Sequence, residues 1–95
     1  MIENLTISQF EPHLGEVFAV AGNGADIALT LKAARPLGAA LREGGAFALH
    51  FLGPPTPPLR QSIYRLSHAA LGTLDLFMVP VGKDNSGILY EAIFT

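Results

Sequence analysis

The closing stretch LGTLDLFMVPVGKDNSGILYEAIFT (Leu71–Thr95) alternates with period two, and both faces of the alternation are apolar. Leu74, Leu76, Met78 and Pro80 fall on one side of a first strand, with Asp75, Phe77, Val79 and Val81 on the other. Beyond a turn at Gly82–Gly87, Ile88, Tyr90, Ala92 and Phe94 alternate with Leu89, Glu91 and Ile93. An ordinary antiparallel hairpin turns a polar face to water. This one carries more apolar surface than one side of a sheet buries. Either the N-terminal segment or another chain must cover the excess.

The same period runs through the middle of the chain. EVFAVAG (Glu16–Gly22) and DIALTLKA (Asp26–Ala33) flank Asn23-Gly24, a strong hairpin signal because both residues tolerate positive φ. Ile27, Leu29 and Leu31 are expected to face inward, and Asp26, Ala28, Thr30 and Lys32 outward. Pro36 and Gly38 interrupt, REGG (Arg42–Gly45) reads as a turn, and AFALHFLG then alternates Phe47, Leu49 and Phe51 with Ala48, His50 and Leu52. In SIYRLSH, Tyr64 and Leu66 are expected inside and Arg65 outside. The N-terminus differs. Thr6 and Gln9 match a capping box, Leu5 and Phe10 occupy staple positions, and Pro12 and Gly15 end the element, which predicts a short helix over residues 7–14. Six closely spaced strands with Gly/Pro punctuation predict one all-β domain over residues 1–95, a six-stranded antiparallel barrel or sandwich with a short N-terminal helix.

Between two strands lies GPPTPPL, whose Pro54, Pro55, Pro57 and Pro58 favour an extended, stiff crossover and exclude a central strand. Pro55, Pro58 and Arg60 also match a P-x-x-P-x-R ligand pattern, though three fixed residues recur readily by chance.

Size sharpens the question of where the apolar surface goes. A 10.1 kDa chain should expose roughly 5,300 Å² of roughly 14,600 Å² when folded, so it has one modest core. Charged residues are 15% against about 25% in typical domains, and mean hydropathy is +0.37. An outward set of Phe77, Val79, Val81, Leu89 and Ile93 would form a patch of several hundred Å², more than a monomer usually leaves bare. These five residues are therefore the expected interface, and a second copy of the chain is its simplest occupant.

The remaining composition excludes more than it suggests. A net charge of −2 without a basic block argues against nucleic acid. No apolar run nears the length of about 18 residues that a membrane helix needs, and no signal peptide opens the chain, so a cytoplasmic location is expected. With no cysteine there is neither a disulfide nor a thiol nucleophile. There is no G-x-S-x-G elbow; GNGA lacks the third glycine of a dinucleotide fingerprint; KDNSG lacks the alternating oxygens of a calcium loop. His13, His50 and His68 have no metal-ligand spacing, and only the fold could bring them together. Asp75 and Glu91 could meet across the terminal hairpin as an acid pair, or each could point to solvent or meet Arg65 or another base. The expectation is a protein that is not an enzyme, with no cofactor and no metal. An apolar-ligand barrel lined by Phe47, Phe51, Tyr64 and Phe77 is the alternative, and a histidine–carboxylate enzyme a remoter one.

Phe10, Pro12 and Gly15, the proline crossover, Tyr64, Leu66 and His68, and the strand Leu74–Gly82 together carry a resemblance. Over Leu5–Phe94 the chain resembles a family of short bacterial all-β proteins of unknown function, domain-of-unknown-function family 6916. The resemblance brings no catalytic residues. It implies a small structural component of a larger, phage-tail-like assembly.

Overall fold

The computed structural model describes residues 5–21, 26–37, 46–56 and 58–94. Six antiparallel strands follow a short helix: α1 (Ile7–Phe10), a 3-10 turn (Glu11–His13), β1 (Val17–Val20), β2 (Ile27–Pro36), β3 (Phe47–Gly53), β4 (Ser62–His68), β5 (Gly72–Asp84) and β6 (Gly87–Phe94). They close into a barrel in the order β1-β2-β3-β6-β5-β4, which decides between barrel and sandwich. The asparagine–glycine turn (Asn23-Gly24), the REGG turn and Pro57 lie outside the described residues. The hairpin that Asn23-Gly24 predicts is nevertheless present, since Val20 pairs with Ile27.

The alternation sorts the strands as expected apart from Ala48, which is buried although it shares a row with His50 and Leu52, and Pro80, which is exposed although it shares one with Leu76 and Met78. Leu29, Leu31, Phe47, Leu49, Phe51, Leu66, Leu76, Met78, Tyr90, Ala92 and Phe94 are buried, and together with Phe10, Phe18, Val20 and Ile88 they form one core. The helix is the plug. Thr6 N–H donates to Gln9 Oε1 at 2.6 Å, the reciprocal half of the capping box, and this starts a single turn that drops Phe10 into the barrel. Phe10 meets Phe47 and Phe94 at 5.8 and 5.9 Å between ring centroids. Phe47 and Phe94, directly paired across β3 and β6, stack at 4.4 Å. A second aromatic layer is an edge-to-face contact of Phe18 with Phe51 at 5.3 Å. Side chains fill the interior, as in other small barrels.

Two bulges shape the wall: one displaces the register of β2 and β3 between Leu31 and Ala33, the other that of β5 and β6 between Pro80 and Gly82. The proline crossover leaves β3 at Gly53, where a Cβ would lie 2.6 Å from Leu29 Cδ2 and 3.1 Å from Tyr90 Cε2. A side chain there would force the buried Leu29 and Tyr90 to shift. The far end of the crossover is held by two tyrosines. Leu59 N–H donates to the Tyr90 hydroxyl at 2.9 Å, and the Tyr64 hydroxyl donates to the Arg60 carbonyl at 2.6 Å.

Candidate functional site

Two features stand out from the packed wall: an apolar row on its outside and a polar cluster at one seam.

The row follows from strand register. Ile63 on β4 is directly opposite Phe77 on β5. Pairing of Met78 with Ala92 and of Ala48 with Ile93 sets Ile93 beside Phe77 on the other flank. All three side chains point outward, with 68%, 50% and 53% of their surface exposed. The N-terminal segment from Leu5 does not lie over them, because Phe10 enters the barrel and Leu5 and Ile7 pack against the core. The other expected interface residues divide. Val79 is half-buried beside Glu91, Val81 is the half-exposed residue of the β5 bulge, and Leu89 is half-buried next to Leu52. Ile63 was not among the expected residues. Its signal was available, since it alternates out of phase with Tyr64 and Leu66, but its neighbour across the sheet was not.

The polar neighbours of the row are internally paired. Arg65, opposite Asp75, makes a two-pronged ion pair with it at 2.9 and 3.2 Å. The hydrogen bond from Arg65 holds the Asp75 carboxyl below its ordinary range, and the same bond raises the guanidinium. Glu91 is opposite Val79 and accepts from His50 Nε2 at 2.9 Å. Asp75 and Glu91 therefore meet a base each and not one another, so the carboxylate pair does not form.

The second feature gathers two of the three histidines. His13 Nδ1 lies 2.8 Å and His68 Nε2 2.7 Å from the same oxygen, Glu16 Oε1. The rings of His13 and His68 meet edge-on at 4.5 Å, and Phe18 stacks on His68 from the other side, also at 4.5 Å. His50 is elsewhere, on β3. Both hydrogen bonds, that from His13 first, keep the Glu16 carboxyl below its usual value. Glu16 escaped sequence reasoning. The i, i+3 spacing from His13 was its only local trace, and the partner that matters is 52 residues away.

Two imidazole nitrogens and a carboxylate oxygen, with ligand atoms all within 4.8 Å of one another, have the composition of a zinc or iron site. The hydrogen bonding does not suit a cation. His68 Nδ1 accepts the amide hydrogens of Ala70 and Leu71 at 3.0 and 3.2 Å, so its proton sits on Nε2 and is donated to Glu16. A cation on Nε2 would drive that proton to Nδ1, against two amide hydrogens. Metal-bound histidines have the reverse arrangement, with the outer nitrogen donating to an acceptor. The cluster is a hydrogen-bonded clasp. It joins the residue before β1 to the last residue of β4, across the seam where, among the described residues, those strands share Ala19–Ser67 and Val20–Leu66.

Of the residues named for an apolar-ligand barrel, Phe47 and Phe51 are buried in the core, Tyr64 is half-buried at the crossover and Phe77 faces outward. They do not line a common mouth. Among the described residues, no helix is long and apolar enough to cross a membrane.

Fold and surface together define a small closed antiparallel barrel with an N-terminal plug, a polar seam clasp and an exposed apolar row. The chain belongs to the family described as a domain of unknown function, DUF6916, whose model matches residues 5–94. No curated protein and no solved structure matches it.

Proposed function

We propose that this protein is a non-enzymatic structural module that acts by self-association, and that two copies meet through the row Ile63–Phe77–Ile93. The single observation behind this reading is the exposure of three large apolar side chains aligned across three adjacent strands. Scattered exposed apolar residues need no explanation, but a contiguous row of this kind marks a contact surface. A second copy is the occupant for two reasons. The row reads isoleucine, phenylalanine, isoleucine in either direction, so a copy rotated by half a turn presents matching side chains. The polar side chains beside the row, Arg65 with Asp75 and His50 with Glu91, already hydrogen-bond one another, so they are not held out toward a polar partner.

The row is small beside the roughly 800 Å² per partner of a standard interface, so the dimer is weak, with a dissociation constant on the order of micromolar or above. Sedimentation equilibrium of the full chain from micromolar to millimolar concentration should show a monomer–dimer equilibrium. Phe77→Ser, which alters no core residue, should weaken it about thirtyfold, the effect of losing a central aromatic anchor. A strictly monomeric species across that range, or dimerisation untouched by the substitution, would remove this reading.

A further inference from the structure

The two bulges open a groove on the opposite stretch of the hairpin from the Phe77 row. It has a volume of about 360 Å³, within the range of small-molecule sites. Its floor is apolar: Leu52 and Leu89, directly opposed across β3 and β6, with Gly82 next in line on β5. The groove exists because Gly82 brings no side chain to the position beside Leu89. Its rim carries two lysines and one acid. Lys32 is the residue that the β2 bulge leaves without a partner on β3, and Lys83 follows Gly82 on β5. Neither lysine has a carboxylate partner among the described residues. The groove's one acid, Asp84, turns Oδ1 to the Ser86 amide at 2.7 Å. An apolar floor lined by two lysines that no described carboxylate pairs thus occurs on a chain whose net charge is −2.

We propose that this groove binds a small free anionic amphiphile: one carboxylate head between Lys32 and Lys83, with a short aliphatic body on Leu52 and Leu89. A neutral apolar ligand would use the floor and waste the lysines. A nucleic acid needs a basic track, and two lysines beside an aspartate do not make one. Because the groove is open to solvent, the affinity is on the order of high micromolar to millimolar. This inference does not depend on self-association, since none of Ile63, Phe77 and Ile93 lines the groove.

The test is titration of the isotope-labelled full chain with octanoate, followed by amide chemical shifts. Octanoate should move the amides of Leu52, Leu89 and the Gly82–Gly87 segment. The uncharged analogue 1-octanol should bind about tenfold more weakly, as should octanoate to a Lys32→Gln/Lys83→Gln double variant. Gly82→Val should abolish the shifts by filling the groove. A Cβ there meets nothing closer than Leu89 Cβ at 3.9 Å, so the backbone leaves room for a side chain at this position. Phe77→Ser should leave the titration intact, which separates this site from the dimer contact. No localised shifts at millimolar octanoate, equal binding of octanol, or unchanged binding by Gly82→Val would each overturn the proposal.

Discussion

Among the described residues, β3 and β6 join along seven aligned pairs, from Phe47–Phe94 to Gly53–Ile88, whereas β1 and β4, which close the same cylinder, share two. The long seam carries one polar cross-strand pair, His50 with Glu91, but does not rest on it. Its ladder is continuous, and its inner face carries the stacked phenylalanines and Tyr90. At the short seam the backbone contributes little, and side chains take over. Glu16 ties His68 on β4 to His13 on the N-terminal turn, and Phe18 lies flat against the His68 ring. A closed barrel is thus held by different means at different places. Ladder and core dominate where strands run side by side for long; a hydrogen-bonded clasp dominates where they barely touch.

The two seams should respond differently to damage. The largest effect is expected from Phe94→Ala, which empties the aromatic layer shared by the plug and the long seam and should cost about 3–5 kcal/mol in chemical denaturation. A loss below about 1 kcal/mol would mean that the plug holds the barrel without it. His68→Ala should cost about 1–3 kcal/mol, since the Ala70 and Leu71 amides lose their acceptor and Glu16 one of its donors. Its distinctive signature is local. Amide exchange should quicken at Ala19, Val20 and Leu66 while β3 and β6 stay protected, whereas Phe94→Ala should quicken exchange throughout. Uniform acceleration in both variants would erase the distinction between the seams.

The smallest effect concerns acid. Glu16 has a folded-state pKa below its ordinary 4.5, because both histidines donate to it. Its ionised form is therefore favoured by folding, and the stability it contributes is complete above about pH 4.5. That contribution is lost as the pH falls through the lowered folded value. Asp75, depressed by Arg65, acts in the same direction. Glu16→Gln should flatten the acid limb of a stability–pH curve only partly, and adding Asp75→Asn should flatten it further. An acid limb unchanged by both substitutions would show that other groups govern acid unfolding.

How much of this was legible beforehand depends on the distance each statement spans along the chain. The alternation in β3, β5 and β6 assigned nearly every side chain to its correct face. Hydropathy selects inside or outside one residue at a time, and the period of two is a local property of an extended backbone. Capping residues similarly located the helix, although it ended as one α-turn and one 3-10 turn because Pro12 interrupts it. β2 ran three residues past Ala33, to Pro36, because pairing with Phe47 and Ala48 carried it beyond the point that local composition suggested.

Composition and alternation by themselves determined that this chain is all-β, that its core is a single apolar cluster, and that the outer face of its last hairpin is unusually greasy. The turn signals foretold the β1–β2 and β5–β6 hairpins, and only the tertiary structure decided the remaining strand neighbours. That choice placed Ile63 beside Phe77, gave Asp75 to Arg65 and Glu91 to His50, and brought His68 to Glu16 while leaving His50 apart. The reason is physical. Burial is scored residue by residue, but strand order and register emerge from closing the whole barrel, where pairings between distant segments must all be satisfied at once.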